Sequence, residues 1–538
     1  MQDDLEGVEP EFANSDTCIF EELDSVITQD EICKAIGKLK RNKSCNEDCI
    51  VNELFIECKN VIVPLIEKLF NLVFNSGIFP ESWAEGCIVP LHKKGDVNDT
   101  NNFRGITLVS CMGKLFTSVL NSRLLSEMHF LRENCPSVEI SLINIFLLMY
   151  ADDMVLFAHS PEHLQQLLDS LQKYNDEWNL TLNTEKTKIV IFRNGGTIKS
   201  NEKWYYKEVE LQIVNQFNYL GMVFNFNGKF NETQKHFTEQ GRKAYYAILN
   251  KFRSHAFNIE TLCSVFDTFV GSVLNYSSEV WGFHKAQEIE KLHLNFCKRI
   301  LGVKKSTNSS FVYLELGRVP FIITRKLRIF KYWIKLRDST NCILKSCLHE
   351  RIDLDDIWIS NIKLELQKLG LSHFWTDNND IPSKALYKII EQRVYDNFKQ
   401  NIMAEVCNSS KGIIYQHLVD NFCMQTYLNK PIDEVYRKCI TRLRLSSHTL
   451  HIEEGRYDGT DRNSRICRYC SLNEVENEFH FVLKCSKYND LRQKYIKQYH
   501  HTRPTIFKLV MMLSTSNNKE LVNLGKFLYH AFKRRSLG

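Results

Sequence analysis

The chain reads as an α+β protein on three observations. Apolar residues recur at helical spacing over most of its 538 residues. Two β-favouring runs, Ile143–Met149 and Met154–Ala158, close on the acidic link Tyr150-Ala151-Asp152-Asp153. Near the C-terminus stands Cys467-x2-Cys470-x9-His480-x4-Cys485.

In chain order, Thr28 caps a helix starting at Gln29-Asp30-Glu31, with Ile32, Ile36 and Leu39 on one face. Pro64 suits the first turn of a second helix. Its apolar face is expected through Leu65, Leu69, Leu72 and Val73, ending near Ser76-Gly77. Gly86–His92 is a strand leading into the polar loop Lys93-Lys94-Gly95-Asp96. A helix over 113–130 carries Leu115, Phe116, Val119, Leu120 and Leu124 on its apolar side. After the acidic hairpin, Ser160 caps and Pro161 opens a helix whose face runs from Leu164 to Trp178. Lys186–Lys188 forms a loop, Ile189–Phe192 a strand, and Phe217–Phe230 a strand-turn-strand with Asn227-Gly228 as its turn signal. From about 235 onward the pattern is mainly helical.

A chain this long predicts two to four domains, and 43% hydrophobic residues exclude global disorder. The net charge of +5 hides an asymmetry: residues 1–30 hold ten acids and no Lys or Arg, whereas 501–538 hold seven Lys/Arg and one Glu. The basic end is expected to attract phosphate, or to be a solvated tail. There is no basic-then-apolar leader and no apolar run of membrane-spanning length, so an intracellular protein, cytoplasmic or nuclear, with no membrane partner is expected. In that compartment most of the 18 Cys should be reduced, buried thiols.

Two groups carry chemistry. Adjacent carboxylates at a hairpin tip present hard oxygen ligands to Mg²⁺, the ion that clamps attacking and leaving oxygens in phosphoryl transfer. Three thiolates and an imidazole at the C-terminal spacing can close a structural Zn²⁺ site, with Phe479, Phe481, Val482 and Leu483 as its apolar base. With so many Cys, close pairs also arise by chance. Around this cluster Arg462, Arg465, Arg468, Lys484, Lys487 and Arg492 interleave with Tyr469 and Tyr488, a pattern suited to single-stranded nucleic acid.

The order of motifs resembles the reverse transcriptase of non-LTR (LINE-type) retrotransposons. The resemblance rests on Phe79-Pro80-Glu81-Ser82-Trp83, Ile88–Asp96, Asn102-Phe103-Arg104-Gly105-Ile106, Tyr150-Ala151-Asp152-Asp153 and Leu182–Lys188. Tyr219-Leu220-Gly221 is similar to that family's primer-grip turn, and Leu274–Gly282 and Glu315–Pro320 to its helical region beyond the thumb. The resemblance implies a right-hand polymerase fold with fingers, an incomplete palm bearing an antiparallel sheet, and a helical thumb. A mainly α C-terminal region with a small zinc knuckle would follow. The implied division is an N-terminal helical extension (1–60), fingers (61–132), partial palm (133–235), thumb (236–335), helical connector (336–455), zinc knuckle (456–500) and basic helical tail (501–538).

It also implies an RNA-directed DNA polymerase acting on an RNA template, a DNA primer and deoxynucleoside triphosphates. Asp152 and Asp153 would hold Mg²⁺, and Lys186 would protonate the departing pyrophosphate. Arg104, with Lys93, Lys94 and Tyr150, would line the nucleotide site, while Tyr219, Leu220 and Gly221 would grip the primer. Cys467, Cys470, His480 and Cys485 would hold Zn²⁺. Taken without the resemblance, Lys93, Lys94 and Arg104 read equally as a solvated basic loop, and Lys186 as an exposed lysine.

The interval before the hairpin is too short for the family pattern. Only 107–149 separate Ile106 from Tyr150, and this stretch contains no Asp; its acids are Glu127, Glu133 and Glu139. A metal-bridging carboxylate and a nucleotide-pocket motif are expected there. The chain is therefore expected to be internally deleted, to lack an N-terminal endonuclease, and to polymerise poorly or not at all. The alternatives are a non-catalytic nucleic-acid-binding remnant and a retrotransposon reading frame with a segment wrongly omitted.

Overall fold

The computed structural model describes residues 25–44, 46, 48–92, 103–127, 137–140, 143–151, 153–177, 180–198, 202–251, 257–376 and 381–537. It is mostly helical, with small two-stranded sheets. The chain forms two compact units, residues 1–138 with 145–179, and residues 139–144 with 180–538. No helix among the described residues is long and apolar enough to cross a membrane.

The first unit is organised by the capping chemistry of α1 (Gln29–Gly37). The Thr28 hydroxyl accepts from the Glu31 amide while the Glu31 carboxylate accepts from the Thr28 amide, so two orphan donors are satisfied together. Glu31 also takes a two-pronged ion pair from Arg123, at 2.7 and 3.0 Å. Arg123 lies on α5 (Cys111–Glu127, the fifth helix) and donates further to the carbonyls of Ser25 and Val26. This guanidinium holds the Glu31 carboxyl down, from an ordinary 4.5 to about 2. Between α1 and α5 come α2 (Asn52–Glu57), α3 (Lys59–Ser76) and α4 (Glu81–Ala84).

Against expectation, α3 begins five residues before Pro64, and its buried stripe is Val63, Ile66, Phe70 and Val73. Leu65, Leu69 and Leu72 are exposed. The helix is apolar around much of its girth, so two stripes fit the periodicity equally well. The aromatic residues decide between them: Phe70 meets Trp83 and Phe116 edge-on, with centroids 6.0 and 5.1 Å apart. Phe79-Pro80-Glu81-Ser82-Trp83 is thus a packing motif, and a Cβ at Gly113 would come within 3.1 Å of the Trp83 Cβ.

An antiparallel ribbon of β1 (Gly86–His92) and β2 (Phe103–Val109) pairs Gly86 with Val109 and His92 with Phe103. Two short strands, β3 (Val138–Ile140) and β4 (Ile143–Ile145), pair next, followed by the hairpin β5 (Leu147–Tyr150) and β6 (Asp153–Leu156). Then α6 (Pro161–Glu177) starts as expected, with the Ser160 hydroxyl accepting from the His163 amide.

The second unit begins with small strands and continues as helices around two cores. The expected strand at Ile189–Phe192 is reduced to β7 (Lys188–Ile189), because only those two residues find a ladder partner. After β8 (Tyr205–Tyr206) and β9 (Val209–Glu210), β10 (Gln212–Ile213) supplies it in parallel. The hairpin β11 (Gln216–Tyr219) and β12 (Met222–Asn225) turns at Leu220-Gly221, not at Asn227-Gly228. Leu220 and Gly221 both have positive φ, 48° and 80°, which is the two-residue geometry that matches strand twist. Asn227-Gly228 instead turns the chain into the helix Asn231–Lys251.

One core gathers Trp281, Phe296, Phe311, Tyr415, Phe481 and Phe527, spanning Met222 to Ala531. A second is built from Phe330, Trp333, Ile359 and Ile390. The helix Asn518–Leu537 buries Leu521, Leu524, Phe527 and Leu528, so this basic segment is not a solvated tail. Among the described cysteines there is no disulfide, and Cys49, Cys58, Cys87, Cys342, Cys407 and Cys423 are exposed rather than buried as expected.

Candidate metal centres and the acidic hairpin

The β5–β6 ladder pairs Leu147 with Leu156 and Tyr150 with Asp153, with Ala151 at the turn. Ala151 sits in the left-handed region at φ 55°, a conformation that costs a non-glycine residue about 1 kcal/mol or more. Asp153 is exposed and Tyr150 is 65% exposed. Asp152 lies outside the described residues, as do Lys93 and Lys94. For Arg104 the backbone is described, paired with Leu91. Lys186 is exposed in the second unit, where its amide donates to the Asn183 carbonyl and side-chain oxygens.

Tyr219, Leu220 and Gly221 lie together at the β11–β12 turn. The Tyr276 hydroxyl donates to the Leu220 carbonyl at 3.0 Å, and its ring would meet a Cβ on Gly221 at 3.4 Å. The turn is therefore braced by the Leu274–Gly282 motif.

The Cys/His cluster is the most completely built group in the chain. An isolated antiparallel bridge, Ile466 to Val475, closes the loop that carries Cys467 and Cys470. His480–Lys484 form a π-helical turn, with the Cys485 amide donating to the His480 carbonyl at 2.8 Å. That wide turn lets the x4 spacing bring His480 and Cys485 to one side. All four ligand atoms lie within 4.8 Å of one another. Cys467 Sγ and Cys485 Sγ are 3.9 Å apart, and Cys470 Sγ and His480 Nε2 are 3.4 Å apart. Zn–S and Zn–N bonds of about 2.0–2.3 Å give tetrahedral edges of roughly 3.3–3.8 Å, so the donor set fits Zn²⁺.

Burial pushes the Cys467 and Cys485 thiols up. A cation at the centre would favour their thiolates. Glu474 accepts from His480 Nδ1 at 3.2 Å and is itself held by Lys484 at 2.8 Å, which leaves Nε2 facing the sulfurs. Beneath the cluster Phe481, Val482 and Leu483 are buried, with Phe481 4.7 Å from Phe532.

Three residues expected to touch nucleic acid are instead internal. Arg492 donates to the carbonyls of Val482 and Cys485, capping the π-helical turn. Arg465 donates to the carbonyls of Ile452 and Thr460, and Tyr488 is 1% exposed. Basic spacing in sequence does not distinguish a guanidinium that caps carbonyls from one that meets phosphate. Arg462, Arg468 and Lys487 remain exposed.

Sequence reasoning missed the buried ion pair of Glu315 and Arg444. Glu315 is 0% exposed and accepts from Arg444 and from the Tyr427 hydroxyl, both at 2.7 Å. Arg444 also donates to Gln425 and to the Leu513 carbonyl. In the same Glu315–Pro320 motif, Arg318 forks onto Asp267, and a Cβ on Gly317 would strike the Met424 backbone. The motif is a structural junction. Its signal in the sequence was the Glu-x-Gly-Arg string itself, whose partners lie 25 to 129 residues away.

Residues 128–224 match the family described as reverse transcriptase (RNA-dependent DNA polymerase). This interval includes Tyr150–Asp153, Lys186 and Tyr219–Gly221, but not Lys93, Lys94 or Arg104. The chain is 28% identical over 170 residues to the uncharacterized transposon-derived protein F52C9.6 of Caenorhabditis elegans, covering 30% of this chain and 58% of that protein. It is 28% identical over 103 residues to the RNA-directed DNA polymerase from mobile element jockey of Drosophila melanogaster, covering 19% of this chain and 11% of the relative. It is 29% identical over 106 residues to the transposon TX1 149 kDa protein of Xenopus laevis, covering 20% and 8%. The chain thus spans between 8% and 58% of these relatives' lengths. It carries a reverse transcriptase family region related to mobile-element proteins.

Proposed function

We propose that the protein is an RNA-directed DNA polymerase by descent whose nucleotidyl transfer is impaired. The single observation behind this reading is the family match over 128–224, an interval that contains Tyr150-Ala151-Asp152-Asp153. On it, RNA template, DNA primer and deoxynucleoside triphosphates are the partners. Asp152 and Asp153 are the metal-facing carboxylates, Lys186 the proton donor to pyrophosphate, and Tyr219–Gly221 the primer contact. Arg104, Lys93 and Lys94 would meet the triphosphate, with Tyr150 beside it. The division into fingers (61–132), palm (133–235) and thumb (236–335) belongs to the same proposal.

The family implies Mg²⁺, yet the residues here do not make a full site for it. Asp152 and Asp153 are neighbours in the sequence, so on this proposal they would reach a metal from one side. Two-metal catalysis needs carboxylates on both sides of an ion pair about 4 Å apart. The stretch 107–149 offers no Asp. We attribute that to an internal deletion. Primer extension on an RNA template with Mg²⁺ or Mn²⁺ tests the proposal. Incorporation at background level is expected from the purified chain. Robust extension that Asp152→Ala abolishes would overturn the impairment.

A second reading, a nucleic-acid-binding protein without catalysis, is favoured by the fully assembled Cys₃His group. Salt-dependent RNA binding without nucleotide incorporation is its expected signature.

A further inference from the structure

Within the second unit, the helices Asn231–Lys251 and Gln287–Leu301 border a cleft of about 540 Å³. That volume lies within the roughly 300–1,000 Å³ range of small-ligand sites. Its wall is cationic: Arg242, Lys298, Arg299 and Lys305 line it, and none of the four forms an ion pair among the described residues. Its acid, Glu288, is engaged by Lys291 at 2.7 Å.

The positive charge is built in rather than scattered. Lys298 is only 9% exposed, and its ammonium donates one N–H to the Lys305 carbonyl at 2.6 Å, leaving two donors. Gly302, in the left-handed region at φ 69°, ends the Gln287–Leu301 helix and returns the chain, so that Lys305 reaches Lys298. Several cations on a low-dielectric wall select an anion.

The cleft also has an aromatic wall. Tyr245 is locked inward, edge-on to Phe266 and Phe296 at 5.8 and 6.0 Å. Its neighbour Tyr246 lines the same cleft beside the cations and is 55% exposed, its ring tilted 40° to that of Tyr245 at 5.8 Å. A free phosphate or a polyphosphate would use the cations and leave that ring idle. Phosphate contact together with base stacking is the recognition chemistry of single-stranded polynucleotide.

We propose that this cleft holds one nucleotide of a single-stranded polynucleotide, its phosphate on Lys298, Arg299 and Lys305 and its base against Tyr246. The site shares no residue with the acidic hairpin or the Cys/His cluster. It deepens the nucleic-acid reading above and rests on it.

The test uses the full chain and a fluorescein-labelled single-stranded oligonucleotide, with polarisation read across a salt series. Arg299→Gln with Lys305→Gln should weaken binding at low salt at least tenfold. It should lower the log-log salt slope by about 1.4, at about 0.7 per lost phosphate contact on a single strand. Tyr246→Ala should weaken binding between about 5- and 150-fold with the salt slope unchanged. All three substitutions lie on the cleft surface, and unchanged circular dichroism and thermal midpoint confirm the fold. If wild type binds and the variants bind equally, the cleft is overturned and the nucleic-acid reading stands. If Tyr246→Ala is silent while duplex or inorganic polyphosphate competes as well as the oligonucleotide, the cleft is a general polyanion surface and the proposal fails. If wild type binds no oligonucleotide, both readings fall.

Discussion

The acidic hairpin and the Cys/His cluster are both short motifs that the sequence displays openly, yet they are built in opposite ways. The hairpin is a two-stranded ladder of four residues a side, with Leu148, Met149 and Tyr150 all exposed. An isolated hairpin of this size is marginal in water. The cluster has its ligands within 4.8 Å, a buried aromatic floor, a π-helical turn capped by Arg492, and Glu474 orienting His480. A motif is evidence of ancestry wherever it stands. Evidence of a working site comes from the shell that holds it, and among the described residues the cluster shows such a shell.

The sharpest way to break this contrast is at the cluster. Cys485→Ser, or removal of metal by chelation, should destabilise the second unit by at least about 3 kcal/mol, because a structural zinc contributes its binding free energy to folding. Metal content and thermal unfolding check this; an unchanged midpoint with no zinc bound would reduce the cluster to ordinary packing. Next in size is the buried pair. Glu315→Gln leaves the buried Arg444 without its counter-charge and should cost about 3–5 kcal/mol in denaturant unfolding, whether or not metal is present.

In the first unit, pH separates the helical core from the hairpin. Glu31 is held at about 2 by Arg123, below its ordinary 4.5. A lowered folded-state value means its contribution is complete above about 4.5 and is lost as pH falls towards 2. Acid unfolding followed by circular dichroism should show that loss, and Arg123→Ala should remove most of it. The smallest effect belongs to the hairpin: Asp153→Asn should change stability by less than about 0.5 kcal/mol, because its carboxylate is exposed.

Local signals carried much of the architecture. Thr28 with Glu31, and Ser160 with Pro161, announced their helices because a cap is satisfied within one turn of chain. The Cys/His spacing was legible for the same reason: a bridge and one π-helical turn bring all four ligands together within 19 residues, Cys467 to Cys485. Where two local solutions competed, periodicity and turn signatures taken alone chose wrongly. Leu220-Gly221 lacks the usual Asn-Gly signature, yet Tyr276, 56 residues on, braces it as the turn. Val63, Ile66 and Phe70 displaced Leu65 and Leu69 because Trp83 and Phe116 supply the partners.

By itself, then, the sequence determined the helical character of most of the chain, the acidic hairpin, the Cys/His set that could hold a metal and the reverse transcriptase kinship. Each depends on residues close in the chain, or on an order of motifs that needs no coordinates. Only the tertiary structure decided which charges are available. Arg465 and Arg492 cap buried carbonyls, Arg444 neutralises Glu315, and Arg242, Lys305 and Arg299, the last beside the Tyr245 hydroxyl, line an open cleft. A cation's role is set by whichever oxygen lies within about 3 Å, and the chain positions of those oxygens are not written beside it.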